Sequence, residues 1–204
     1  MKNNFKIIVQ KCFLLIIVLI SIAYITSGCG NKQNSELTEK KVAAVDMEDW
    51  YSGNDHGDYV IGKSEALHNG KSVFYLRSTT KIDSGFGNII KNIYPADYFE
   101  KRIKLTGNIK VNSIYGYSGM WMRVDGGHTG KSYFGSTLSF DNMENRLITE
   151  ATDWKKYEIV LDVPKESRMI FYGFYLSGSG EVSISDFTVT VVGNDVPTTD
   201  ISRK

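Results

Sequence analysis

Residues 102–111 read Arg-Ile-Lys-Leu-Thr-Gly-Asn-Ile-Lys-Val, with Ile103, Leu105, Ile109 and Val111 apolar and Arg102, Lys104, Thr106, Asn108 and Lys110 polar between them. Period two over ten residues is the mark of a strand with one face on a core. The same alternation recurs at Tyr157-Ile159-Leu161-Val163. Further candidate strands are Ser72 to Ser78, Phe86 to Ile93, Gly116 to Val124, Tyr133 to Phe140, Met169 to Leu176 and Val182 to Val192. Clusters such as Asp125-Gly126-Gly127 and Ser177-Gly178-Ser179-Gly180 separate them as turn formers. Eight or more short strands of this kind predict an all-β domain, an antiparallel β-sandwich or jelly roll. In the last strand the apolar phase shifts across Asp186, from Val182 and Ile184 to Phe187, Val189 and Val191, which predicts a bulge.

Outward from this domain the chain changes character. Lys2, Lys6 and Lys11 precede an uncharged apolar run of 14 residues, Cys12 to Ile25, and then Thr26-Ser27-Gly28-Cys29. The run is short for a membrane span, which needs about 20 residues, and fits a secretory h-region. The small residues before the cysteine resemble the lipobox of a bacterial lipoprotein signal, with Thr26 where lipoboxes usually carry Leu. That resemblance implies cleavage after residue 28 and acylation of Cys29, anchoring the chain in the lipid bilayer outside the cytoplasm. Residues 29–41 then read as a lipidated flexible tether, 42–193 as the jelly-roll domain, and 194–204 as a disordered tail.

Composition narrows the function classes. The chain carries 24 Lys and Arg against 23 Asp and Glu; without the first 28 residues the tally is 21 against 23. A mildly acidic domain lacks the basic footprint that nucleic acid demands, so no nucleic-acid partner is expected. Its two cysteines are Cys12 and Cys29, so residues 30–204 hold no disulfide, cysteine nucleophile or thiolate metal site. His56, His68 and His128 fall in Gly/Asn/Asp contexts without metalloprotease or triad spacing, and no P-loop or dinucleotide fingerprint is present.

Three stretches carry a second resemblance: Trp121-Met122-Arg123-Val124-Asp125-Gly126, Leu138-Ser139-Phe140-Asp141-Asn142-Met143, and Thr152-Asp153-Trp154 through Leu161-Asp162-Val163-Pro164 to Gly173, Gly178, Gly180 and Asp186. Together they resemble a bacterial family of galactose-binding-like jelly-roll domains, whose wider fold is shared with many carbohydrate-binding modules. The resemblance spans roughly residues 45–192 and implies the fold; function still has to be argued from a site.

Strand alternation proposes that site. Tyr115, Tyr117, Trp121 and Arg123 share one face of their strand, opposite Met120, Met122 and Val124. Val73, Tyr75 and Arg77 likewise oppose Phe74 and Leu76. If both strands lie in one concave sheet, Tyr75, Arg77, Tyr117, Trp121 and Arg123 converge in a groove, with the rings reaching solvent to stack on sugar faces and the guanidinium groups serving as planar donors. The competing reading packs Trp121 under a loop and pairs Arg123 with Asp141 or Asp125. Asp141 and Asn142 either reach a ligand hydroxyl or cap their own turn. Modules of this type often hold a structural calcium, for which Asp46, Glu48, Asp49 and Asp186 supply a partial oxygen shell, though no cofactor is required. Three readings follow: a non-catalytic ligand-binding lipoprotein with a glycan or small polar ligand, a structural or protein-interaction scaffold, and a hydrolase with an unrecognised carboxylate pair.

Overall fold

The computed structural model describes residues 49–53, 57–127 and 135–202. Eight antiparallel strands are present among them: β1 (Tyr51–Ser52), β2 (Tyr59–His68), β3 (Lys71–Ser78), β4 (Phe86–Ile93), β5 (Lys101–Asp125), β6 (Thr137–Asp141), β7 (Thr152–Val163) and β8 (Met169–Val192). One turn of 3₁₀ helix, Ala96–Tyr98, joins β4 to β5. The all-β expectation holds, and the fold is a jelly-roll β-sandwich.

Two long strands organise it. The first half of β8 pairs with β4 on one side and with the second half of β5 on the other. Its second half pairs with β3 and with the first half of β5. One half of the curled sheet therefore runs β1-β4-β8-β5-β6, and the other runs β2-β3-β8-β5-β7. The sequence pattern predicts two strands in each of these segments, with Ser177-Gly178-Ser179-Gly180 as a turn. The correction is a corner inside a continuous strand. Gly116, Gly178 and Gly180 have φ of 126°, 84° and 147°, and Gly116 stands opposite Gly178. Side chains there would strike the neighbouring backbone, since a Cβ on Gly116 would sit 2.1 Å from the Ser177 carbonyl oxygen. Glycine lets both strands bend together without breaking the ladder.

Folding at that corner encloses the core. Ile89, Phe174 and Met120 lie level across β4, β8 and β5, all fully buried. Ile103, Leu105, Ile159 and Leu161 fill the other half, as their alternation predicts. Trp50 joins the halves, with its ring 6.2 Å from Phe74, 5.7 Å from Tyr172 and 5.5 Å from Phe187. The bulge at Asp186 is present: Thr106 pairs with Thr188 while Asn108 pairs with Ser185, and Asp186 takes φ of 56°. The extra residue turns Phe187 inward over Gly107, where a Cβ would sit 2.2 Å from the ring.

Two elements differ from expectation. Tyr59–His68 is a strand that its sequence, with weak alternation and a register shift between Lys63 and Leu67, did not announce. Residues 194–202 are not a frayed tail. Arg102, itself paired with Asp162 at 2.8 Å, donates to the carbonyls of Asn194 and Val196. Thr199 N–H donates to Val160 O and Ile201 N–H to Phe140 O, while Asp200 accepts from Phe140 N–H. The segment thus satisfies backbone groups along β6 and β7 that would otherwise be open edge.

Burial also shapes the alkaline limit of stability. Tyr172, sunk in the core near Tyr98, has its phenol pushed up to about 12, and burial raises Tyr175 as well. A phenol that holds its proton longer when folded contributes stability that is complete below about pH 10 and is lost as pH rises toward 12. We expect unfolding free energy to fall steeply over that window; urea titrations at pH 9 and pH 11.5 giving equal midpoints would contradict it.

Candidate functional site

The outer face of the β1-β4-β8-β5-β6 half carries the site. Four rows cross it. Phe86, Ser177 and Tyr117 are level; then Asn88, Tyr175 and Gly119; then Ile90, Gly173 and Trp121; then Asn92, Phe171, Arg123 and Phe140. In the two middle rows a large ring stands beside a glycine, so Tyr175 lies over Gly119 and Trp121 over Gly173. A Cβ on Gly119 would meet the Tyr175 ring at 3.0–3.2 Å, and one on Gly173 would lie 3.1 Å from Trp121 Nε1.

The result is a half-open hollow of about 280 Å³, whose lining includes Phe86, Tyr117, Trp121, Arg123, Asn142 and Tyr175. Phe86 stacks on Tyr175 with centroids 5.5 Å apart, and Tyr117 meets it edge-on at 6.1 Å. Phe86 and Tyr117 are the exposed rings, at 45% and 41%. Trp121 differs from expectation. Although it faces away from Met120 and Met122, it is only 8% exposed, and its indole N–H donates to Asn88 Oδ1 at 2.8 Å. It is a packed wall of the hollow, not a free platform.

Arg123 closes one end. It lies over the Phe171 ring at 5.4 Å and grips Asp125 through Nε–Oδ1 at 2.8 Å and Nη2–Oδ2 at 2.9 Å. Burial raises the Asp125 carboxyl above its usual range while the Arg123 charge opposes that rise. The pair presents a positioned, charge-compensated donor to the hollow. A carboxyl with a raised pKa here faces a guanidinium, not the second acid of a hydrolytic pair.

The other expected residues lie elsewhere. Tyr75 and Arg77 belong to β3, which pairs with β8 beyond the corner, so they do not reach this hollow. Tyr75 covers Gly62, and Arg77 reaches Glu181 at 3.6 Å. Asp141 is also corrected: opposite Met122 on the inner face and fully buried, it accepts from Met143 N–H at 2.7 Å and pairs with Arg146 at 2.5 Å. It holds the turn after β6 in shape, while its neighbour Asn142 accepts from Glu144 N–H beside the hollow. His68 stacks on Trp154 at 4.1 Å. Of the calcium set, Asp186 is exposed at its bulge, and Asp46 and Glu48 lie outside the described residues, as does Cys29. Among the described residues no three His, Cys, Asp or Glu side chains could hold a metal ion.

Sequence reading missed Phe86, Asn88, Phe140 and Tyr175 as members of the site. Phe86 and Asn88 alternate with buried Ile89, a usable signal once β4 is known to border β8. Tyr175 was hidden in the apolar run Met169 to Leu176.

Fold and hollow together define an antiparallel jelly-roll module with an aromatic and amide-lined depression on one outer face. No family model matches the chain. It is 36% identical over 174 residues to the Uncharacterized HTH-type transcriptional regulator YbfP of Bacillus subtilis (strain 168), an alignment covering 84% of this chain and 55% of that protein. The chain thus spans about half the length of the curated relative it matches. Among solved structures it is similar in fold to the enzymatically active domain of bacteriophage CBA120 tailspike protein 4, with TM-score 0.52 and 15% identity over 71% of this chain and 20% of that one. The CBM22-1 and GH10 modules of the Clostridium thermocellum xylanase Xyn10B, complexed with xylohexaose, give TM-score 0.50 and 13% identity over 73% and 27%. A putative sugar binding protein from Bacteroides thetaiotaomicron gives 0.50 and 12% over 70% and 87%.

Proposed function

We propose that this chain is a non-catalytic carbohydrate-binding lipoprotein, held at the outer face of a membrane through acylated Cys29. The observation that carries the reading is the hollow itself. It combines exposed Phe86 and Tyr117 rings, which offer flat faces to apolar sugar faces, with Asn88, Asn142 and a fixed Arg123 as groups for sugar hydroxyls. The xylanase, of whose CBM22-1 and GH10 modules a share of 27% resembles this fold, and the putative sugar binding protein support the same reading by analogy. Among the described residues the hollow's lining contains no carboxylate.

Affinity electrophoresis of the detergent-solubilised full chain through gels containing neutral polysaccharides tests it. Retardation by at least one polymer is expected, weakened about tenfold by Tyr117→Ala, the loss of one stacked ring. Unretarded migration through every polymer would reject the reading. The anchor has its own check: mass spectrometry of the native N-terminus is expected to find diacylglyceryl-Cys29, absent in Cys29→Ser, and an N-terminus elsewhere would reject it.

A further inference from the structure

Beyond the glycine corner lies a second hollow, of about 440 Å³, whose lining includes Arg77, Lys81, Tyr115, Ser179 and Glu181. It adjoins the first. Along β5, Tyr115 and Tyr117 flank Gly116, and along β8 their partners are Ser179 and Ser177. Tyr115 and Tyr117 are two residues apart on β5, at most about 7 Å along the strand. The segment 79–85 is fastened here, because Ser179 Oγ donates to Ile82 O at 2.8 Å and accepts from Ile82 N–H. That fastening sets Lys81 beside the strand corner, its ammonium 5.4 Å over the Tyr115 ring. Tyr115 is 59% exposed, so much of its side chain stays open to a ligand.

The two hollows differ in charge. In the first, Asp125 neutralises Arg123. In the second, both carboxylate oxygens of Glu181 are engaged, one by Arg77 and the other by Asn112 Nδ2 at 2.6 Å. Lys81 has no ion-pair partner among the described residues, and Asp83 on the same segment is not part of the lining. The second hollow is therefore an aromatic face beside an uncompensated cation.

We propose that the second hollow is a subsite for an anionic sugar unit, so that the glycan bound here is a uronic-acid-bearing chain whose neutral units occupy the first hollow. This rests on the carbohydrate-binding reading. The test is affinity electrophoresis of the full chain with paired polymers, glucuronoxylan against arabinoxylan and polygalacturonate against galactan. An acidic polymer is expected to bind about fivefold more tightly than its neutral partner, the worth of one well-placed ion pair, with the preference disappearing in 0.5 M salt. Lys81→Gln is expected to remove the preference and leave neutral binding intact, and Tyr115→Ala to weaken acidic binding more than neutral. Equal binding of acidic and neutral partners, or a Lys81→Gln protein that keeps the preference, overturns the subsite while leaving the first hollow's role standing. Binding of no polymer at all overturns both.

Discussion

Trp121→Ala is expected to destabilise the domain by about 3–5 kcal/mol, the range for removing a buried large aromatic side chain. At this size that lowers the melting temperature by about 10 °C. The ring is almost fully covered, lies over Gly173, and satisfies Asn88 Oδ1 through its indole N–H. Truncation leaves a cavity and an amide oxygen without its donor. Tyr117→Ala is the internal comparison: same face, four residues away, but 41% exposed. It is expected to cost about 1 kcal/mol or less. Thermal denaturation of both variants decides the matter, and similar small losses for the two would show that Trp121 is a free platform after all.

A second large effect is expected at Gly173. A single methyl there would sit 1.9 Å from the Ile89 carbonyl oxygen and 3.1 Å from Trp121 Nε1. Neither can yield cheaply, since one is β4 backbone and the other is the hollow's wall. Gly173→Ala must push β4 off β8 or expel the indole, for a loss of about 3 kcal/mol, the upper end for overpacking. Gly127→Ala, where a Cβ meets nothing within 4 Å, is the control. A Gly173→Ala protein with an unchanged urea midpoint would mean that the alternation of rings and glycines across this face is incidental.

These two residues show where sequence reading reaches and where it stops. Alternation in Ile103-Leu105-Ile109-Val111 declares which side chains face the core, because the pleat repeats every two residues. The same rule correctly set Tyr117, Trp121 and Arg123 opposite Met120 and Met122. It cannot say which half of the sheet a strand joins. Strand face alone groups Tyr75 and Arg77 with Trp121, yet β3 pairs with β8 past Gly178 and Gly180, around the bend. Nor can it distinguish a turn from a corner, since Ser177-Gly178-Ser179-Gly180 has the composition of either. Degree of burial was also hidden: Trp121 is covered because Gly173, 52 positions away in sequence, makes room beside it. Asp141 shows a different limit. Its capping reading was available locally, but its burial depends on Arg146 reaching it from the following turn and also contacting Glu158 O on β7.

The corner glycines connect the fold to the proposed function. Because Gly116 and Gly178 bend together, Tyr115 and Tyr117 stand on either side of one ridge, each at the mouth of its own hollow. Under the proposed reading, the depression walled by Trp121 would take neutral sugar units and the adjoining one holding Lys81 an anionic unit.

The most direct test of the carbohydrate-binding claim is isothermal titration of the full chain in detergent with xylohexaose and with glucuronoxylan oligosaccharides of equal backbone length, beside Tyr117→Ala. Saturable heat is expected for the wild type, with about tenfold weaker binding for the variant and a melting temperature unchanged within about 3 °C. Absence of heat with every oligosaccharide, or equal affinity in Tyr117→Ala, would contradict it.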